Sequence, residues 1–357
     1  MLQIKQKFVL KDYFVPIIFV VLCALSIHYS GKPLPFLAGA ILERFGRNGF
    51  LVLSLIIPVI AGIGLNFSIV LGAIAAQIAL IFIADWHIGG AKGLFLACLM
   101  SIPFSLLFGF LIGKLFNRAR GREMVTGLIA GFFSNGIYQL IFLFGAGTII
   151  PIATYNMLLP RGLNPDGTSR VYGLRNTIDL SHVQYAFDDL LRVRFGTLTI
   201  PVFTLLLIAL ACVFINIFKK TKLGQEMKAM GLDYHIAEVS GMDVKRNRLI
   251  ATMISTVLAG FGQILFLQNV GNLNTYNSHE QVGMLSVAAL LVSGASVSKA
   301  SVWHALLGTL ILQTLFLTSP LAGNNLFGNA QIGEYFRVFI AYGVIAVALA
   351  LHAIKKK

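Results

Sequence analysis

The side chains able to do covalent or metal chemistry are few in this sequence, and none stands in a productive pattern. The histidines number seven and are scattered, with His28, His87 and His182 falling in outer segments. Cys23, Cys98 and Cys212 each lie inside an apolar run, without metal or redox spacing, and read as small core residues. No HExxH and no GxSxG occurs. Gly109–Leu115 (GFLIGKL) approaches a phosphate-binding loop, but it holds one residue too few between its glycines and lacks a hydroxyl after Lys114. The expectation is a chain with no catalytic residue, no metal site and no cofactor of its own.

What the sequence offers instead is hydrogen bonding without charge. Asn66, Ser68, Gln77, Asn135, Tyr138, Gln139, Gln263, Gln268 and Asn269 all sit within or beside apolar runs. Any one of them is suited to bonding across helices as packing glue. As a set they are costly to bury without purpose, so a fraction is expected to line a path for a neutral, hydrogen-bonding solute. Asp85, Glu280, His304 and Arg337 stand at or near the ends of runs. An ion-coupled carrier places charge inside its spans, which argues against that class.

These residues must be held by elements of a membrane protein. The chain has 357 residues, 57% hydrophobic and only 12% charged, about half the charge of an ordinary water-facing surface. The net charge of +14 sits at the ends of apolar runs rather than in a patch, so membrane lipid and not nucleic acid is the expected surroundings. Runs long enough to span lie near 14–29, 49–65, 66–84, 91–113, 124–146, 199–218, 249–268, 276–296, 301–318 and 334–353. The expected fold is therefore an all-α polytopic membrane protein, one domain over 1–357, with about ten transmembrane helices. Eighteen of the 28 Lys and Arg fall on the side that holds both termini, among them Lys5, Lys7, Lys11 and Lys355–Lys357. The positive-inside rule puts that side in the cytoplasm.

Two breaks in the apolar pattern have the composition of re-entrant or broken helices. One is Ala61–Gln77 (AGIGLNFSIVLGAIAAQ), the other Val292–Ser301 (VSGASVSKAS). The patterns Gly109–Gly113 and Gly127–Gly131 read as close helix packing. Residues 147–198 form a long extracytoplasmic segment with turn-formers Pro160, Gly162, Asn164, Pro165 and Gly167. Residues 219–248 form the large inner loop. There Gly224–Met230 predicts a short helix ending at Gly231, Asp233 caps a second one, and Gly241 terminates it. A loop that only reverses direction has no need of two capped helices.

Three blocks resemble the permease subunits of bacterial ABC importers for simple sugars, branched-chain amino acids and nucleosides. They are Lys222–Gln263, the GLNFSIVLGAIAAQ segment (Gly64–Gln77) and Gln281–Ile311, and the simple-sugar permeases are the most similar. The resemblance implies a multi-pass protein of the bacterial inner membrane. Its partners would be a second permease (a second copy or a paralogue), two ABC ATPase subunits carrying ATP and Mg, and an extracytoplasmic solute-binding protein. It further implies that the inner loop docks on the ATPase, a coupling role carried to Gly224, Glu226, Ala229, Gly231, Asp233, Ala237, Glu238 and Gly241. The translocation path is expected at Asn66, Ser68, Gln77, Asn135, Tyr138, Gln139, Gln263 and Gln268, and the solute is expected to be a monosaccharide or similar. Sugar-type members carry acids where this chain has Gly283 and Leu285, and its nearest acid is Glu280. A nucleoside or flavin is the alternative cargo, since Phe67, Tyr138, Phe261 and Tyr276 could stack on a ring. An ion-coupled carrier and a non-transporting scaffold stand behind both.

Overall fold

The computed structural model describes residues 2–163 and 169–355. The turn-formers Asn164, Pro165 and Gly167, and the terminal Lys356 and Lys357, lie outside the described residues, as do the side chains of Gly162, Lys5, Lys7, Lys11 and Lys355. Thirteen α-helices follow in chain order: α1 (Leu2–Tyr29), α2 (Leu34–Leu53), α3 (Ile56–Ile60), α4 (Ile69–Asp85), α5 (Gly90–Arg118), α6 (Glu123–Gly145) and α7 (Val202–Phe218), then α8 (Lys222–Leu232), α9 (Tyr234–Val239), α10 (Val244–Val270), α11 (Val282–Val292), α12 (Val302–Phe327) and α13 (Ala330–Lys355). Four of these, α5, α6, α10 and α12, are individually long and apolar enough to cross a membrane, and α7 with α8 forms a further candidate bent by 76°.

The ten expected runs thus do not each become one straight span. The run 49–65 is the clearest correction. Helix α2 begins at Leu34, takes in Glu43, Arg44 and Arg47, and stops at Leu53, where the Ser54 hydroxyl bonds back to the Leu51 carbonyl at 2.6 Å. The short α3 follows, and residues 61–68 are non-helical and mostly buried. In the run 276–296 only α11 is helical, and residues 275–281 form a turn segment ahead of it, with Thr275 and His279 buried.

Both expected breaks are present. Gly62 and Gly64 adopt φ of +70° and +86°, a region open to glycine at little cost. The second break, between α11 and α12, touches the first, since a Cβ on Gly64 would lie 3.3 Å from Val297 Cγ1.

The outer segment overturns the purely helical expectation. Strand β1 (Leu158–Leu163) pairs antiparallel with β2 (Ser169–Leu174), and β4 (Arg192–Phe195) with β5 (Leu198–Pro201). Strand β3 (Thr177–Asp179) pairs with β6 (Asn272–Asn274), which lies directly after α10. Alternating β-branched and aromatic residues around Gly196 favour the β4–β5 hairpin. No alternation signals β3 and β6, whose pairing is a tertiary event.

The core is built on α10, which packs against α2, α4 and α5. Its 27 residues make a strut of about 40 Å at 1.5 Å per residue. Glycines permit the contacts. A Cβ on Gly109 would stand 2.7 Å from Met253 Cα, and one on Gly113 2.6 Å from a Leu249 methyl. At Gly72 of α4 an added methyl would overlap the Thr256 carbonyl oxygen. Gly72→Val is therefore expected to cost about 2 kcal/mol or more through overpacking. The check is thermal unfolding of the detergent-solubilised protein, and an unchanged midpoint would contradict this contact.

Candidate functional site

One end of the bundle carries α8 and α9. Thr221 caps α8 by accepting from the Gly224 amide at 3.2 Å, and Asp233 caps α9 by accepting from the His235 and Ile236 amides at 2.9 and 3.1 Å. Gly241, with φ +80°, ends the unit, and Asp243 caps α10 through the Arg246 amide at 3.0 Å. The second short helix thus falls where Asp233 and Gly241 put it, whereas the first starts earlier, at the Thr221 cap, and runs through Gly231 to Leu232 instead of ending at Gly231.

The eight residues expected to couple to a partner divide by direction. Ala237 is buried against the bundle, and Ala229 lends its carbonyl to the Asp233 amide at 3.2 Å. A Cβ on Gly224 would overlap the Phe218 carbonyl, so the turn from α7 into α8 depends on its bare Cα. Glu226 accepts from Asn247 at 2.9 Å, and Glu238 pairs with Arg120 at 3.5 Å. These two carboxylates therefore tie α8 and α9 to their own protein. Nearby, the largely buried Arg248 reaches Glu123 at 2.5 Å, together with Asn117 and the Phe116 carbonyl at 3.2 Å. The outward face consists of apolar side chains that the sequence reading did not single out: Leu232, Ile236 and Val239 are 83%, 65% and 78% exposed.

Gly231 connects this end to the interior. A Cβ on it would overlap the Ile60 carbonyl oxygen, while a Cβ on Gly62 would lie 2.8 Å from Gly231 Cα. The backbones of α8 and the first break are in direct contact, with no side chain between them.

The residues expected to line a path separate into three groups. Asn66 and Ser68 form a closed cap over the first break. Asn66 Oδ1 accepts from the Ser68 amide and hydroxyl at 3.0 and 2.5 Å, and its nitrogen donates to Ser255 at 3.2 Å. Every polar atom named there has its partner. Gln268 sits elsewhere, accepting from the Phe187 amide at 3.4 Å and so holding the outer segment. Beside it Asn269 bonds to Glu43, Asp188 and Arg47 at 2.8, 3.2 and 3.2 Å.

The remaining five converge on a residue that the sequence analysis missed. His279, fully buried, places Nδ1 2.8 Å from Gln77 and Nε2 2.8 Å from Asn135. Asn135 donates to Glu280 at 2.7 Å and accepts from Gln139 at 3.1 Å. The Tyr138 ring meets the imidazole edge-on at 5.2 Å, and Gln263 donates to the Ser278 carbonyl at 3.1 Å. Gln77 Nε2, Tyr138 Oη and Gln263 Oε1 are buried with no partner among the described residues. Unpaired buried groups cost about 1–3 kcal/mol each, so their presence together marks a place where water or solute supplies the missing bonds.

The outer segment fixes the turn that carries His279. The Thr275 amide donates to the Asn176 carbonyl, its hydroxyl to the Arg175 carbonyl, and the Tyr276 hydroxyl to the Leu174 carbonyl, each at 2.7 Å. A double-mutant cycle of Gln77→Leu and His279→Leu is expected to give a coupling energy of about 1 kcal/mol or more in unfolding. Strict additivity would contradict the bridge.

A family model described as "Branched-chain amino acid transport system / permease component" matches residues 37–349. The fructose import permease protein FruG of Bifidobacterium longum (strain NCC 2705) is 23% identical over 237 residues, which cover 66% of this chain and 61% of FruG. The chain thus aligns with less than two thirds of that relative's length. No solved structure matches.

Proposed function

Since the chain belongs to the family of branched-chain amino acid transport system permease components, we propose that it is the transmembrane permease subunit of an ATP-driven ABC importer, carrying a monosaccharide or similar neutral polar solute across the bacterial cytoplasmic membrane. The family is one of transporter permeases, so no covalent step is assigned to this subunit. In this reading it works as one of two permeases, with two ABC ATPases that bind ATP and Mg and with an extracytoplasmic solute-binding protein. The end bearing α8 and α9 faces the cytoplasm, as do both termini, in keeping with the excess of Lys and Arg on that side.

The observation that carries the reading is the contact of Gly231 with Ile60 and Gly62. Leu232, Ile236 and Val239 form an apolar face able to seat on a partner ATPase. Behind that face, the Arg120–Glu238 and Asn247–Glu226 bonds keep α8 and α9 from yielding independently. A displacement of the ATPase pair then passes as a rigid-body movement into the first break, whose other side packs on the second break and on α6 through Gly127. Access alternates as the two breaks shift. The amides of Gln77, Asn135 and Gln139 around His279 suit a hydrogen-bonding solute, and the name of FruG, a fructose import permease, agrees with a sugar.

The test uses Gly231→Leu, whose side chain has no room beside the Ile60 carbonyl. Uptake and solute-stimulated ATP hydrolysis by the assembled transporter are expected to fall at least about 100-fold, as a loss of ~3 kcal/mol in a coupled step implies, while membrane insertion is kept. Gly241→Leu, strained by its positive φ but facing open space, is expected to lose less. Uptake unaffected in both would contradict the coupling role.

A further inference from the structure

Against the 275–281 turn lies a cavity of about 260 Å³, near the small end of ligand-binding cavities. It is enclosed by α2, α10, the turn, α11 and α12, all within one copy of the chain. Its polar lining is Asn48, Asn277, Ser278, Gln281, Ser286 and Gln313. No charged side chain contributes, and Leu51, Val52, Phe266 and Leu285 supply apolar walls. The Phe266 ring is braced from outside by the Arg47 guanidinium, 5.3 Å from its centroid.

The hydrogen bonding of this lining is incomplete. Ser286 and Gln313 are 4% and 6% exposed, yet neither side chain bonds to any described residue. Asn48 spends its nitrogen on the Arg44 carbonyl at 2.9 Å, and its oxygen bonds to no described residue. Asn277 and Gln281 are exposed and stand at the mouth, with Ser286 and Gln313 in the depth. Their polar atoms therefore face the cavity space, where water or a bound solute completes their hydrogen bonding.

We propose that this cavity is a solute-binding site inside the single permease, for a small uncharged polyhydroxylated molecule. Gln313 and Ser286 bond its hydroxyls while Phe266 and Leu51 cover its C–H faces. The cargo class rests on the transport reading above, but the site rests on the cavity. Hydroxyls match amides that both donate and accept. A carboxylate or phosphate would be desolvated with no counter-charge in the lining. The site also links to the rest of the molecule, because the Ser278 that lines it holds Gln263 through its carbonyl and precedes His279.

The experiment is protection of a thiol introduced by Ser286→Cys, in membrane vesicles carrying the assembled transporter. The thiol is labelled with methyl methanethiosulfonate and position 286 is read by mass spectrometry. A saturating ketohexose or aldohexose is expected to slow labelling about tenfold, as occupancy of nine sites in ten implies, and a hexuronic acid is expected to give no protection. Labelling unchanged by every neutral solute, or a thiol that never reacts, would overturn the site. Protection by a nucleoside but by no hexose would overturn the polyol assignment and the monosaccharide reading with it. Hexose uptake by the unaltered transporter without protection at 286 would overturn the cavity alone. If Ser286→Cys does not assemble, Gln313→Met is read instead. The expected result is a KM for uptake raised about tenfold with kcat kept, and an unchanged KM would overturn the site.

Discussion

Non-helical backbone inside an apolar bundle must find its hydrogen-bond partners within the protein, and that constraint organises this molecule. Lipid offers no donors or acceptors, so an irregular stretch survives only where it is covered and bonded. The first break is bonded within itself and from α10: the Gly62 and Ile63 amides return to the Val59 and Pro58 carbonyls at 3.1 and 3.0 Å, Asn66 closes on Ser68, and Ser255 reaches back to the Ser54 carbonyl at 2.8 Å. The 275–281 turn is bonded from the outer segment and from Asn274, whose Oδ1 accepts the Tyr276 and Asn277 amides at 3.3 and 3.2 Å. Each irregular segment is over-determined by its surroundings, and each sits where function is assigned.

The same constraint ties the two ends together. The first break is bonded to α10 in the middle and touches α8 at its base, so the base cannot move without shifting it. The turn is bonded to the outer segment and, through His279, to α4 and α6. Between them stands α10, with Gln263 on the turn, Ser255 on the break and Asn247 on α8. A rigid strut bonded to two irregular segments and to α8 is the arrangement that rigid-body coupling requires.

How much of this was legible in the sequence depended on whether the signal was local. The membrane class followed from charge content and run length. Both breaks could be read because Gly, Asn and Ser gathered where no charged loop separated the runs. The caps at Asp233 and Gly241 were read because they act within four residues. What escaped depended on distant partners. His279 looks ordinary until Gln77 and Asn135 arrive from 202 and 144 residues away. Glu43 and Arg47 are carried within α2, where both bond Asn269, which comes from far along the chain and also holds Asp188. The β3–β6 pair joins strands of three residues each, too short to carry an alternation of their own. Asn66 and Ser68 stand out in the sequence, and the structure shows them bonded to each other and to Ser255 of α10, where they hold the break.

The central claim is that α9 delivers an ATPase's movement to a permease. Its most direct test replaces Ile236, the outward apolar residue of α9, with p-benzoylphenylalanine in cells that make the whole transporter. The adduct is then identified after illumination. The account predicts a single cross-linked partner that is an ABC-type ATPase, with capture changing when ATP hydrolysis is blocked by vanadate. Cross-linking only to lipid or to unrelated chains, in membranes that actively take up solute, would contradict it.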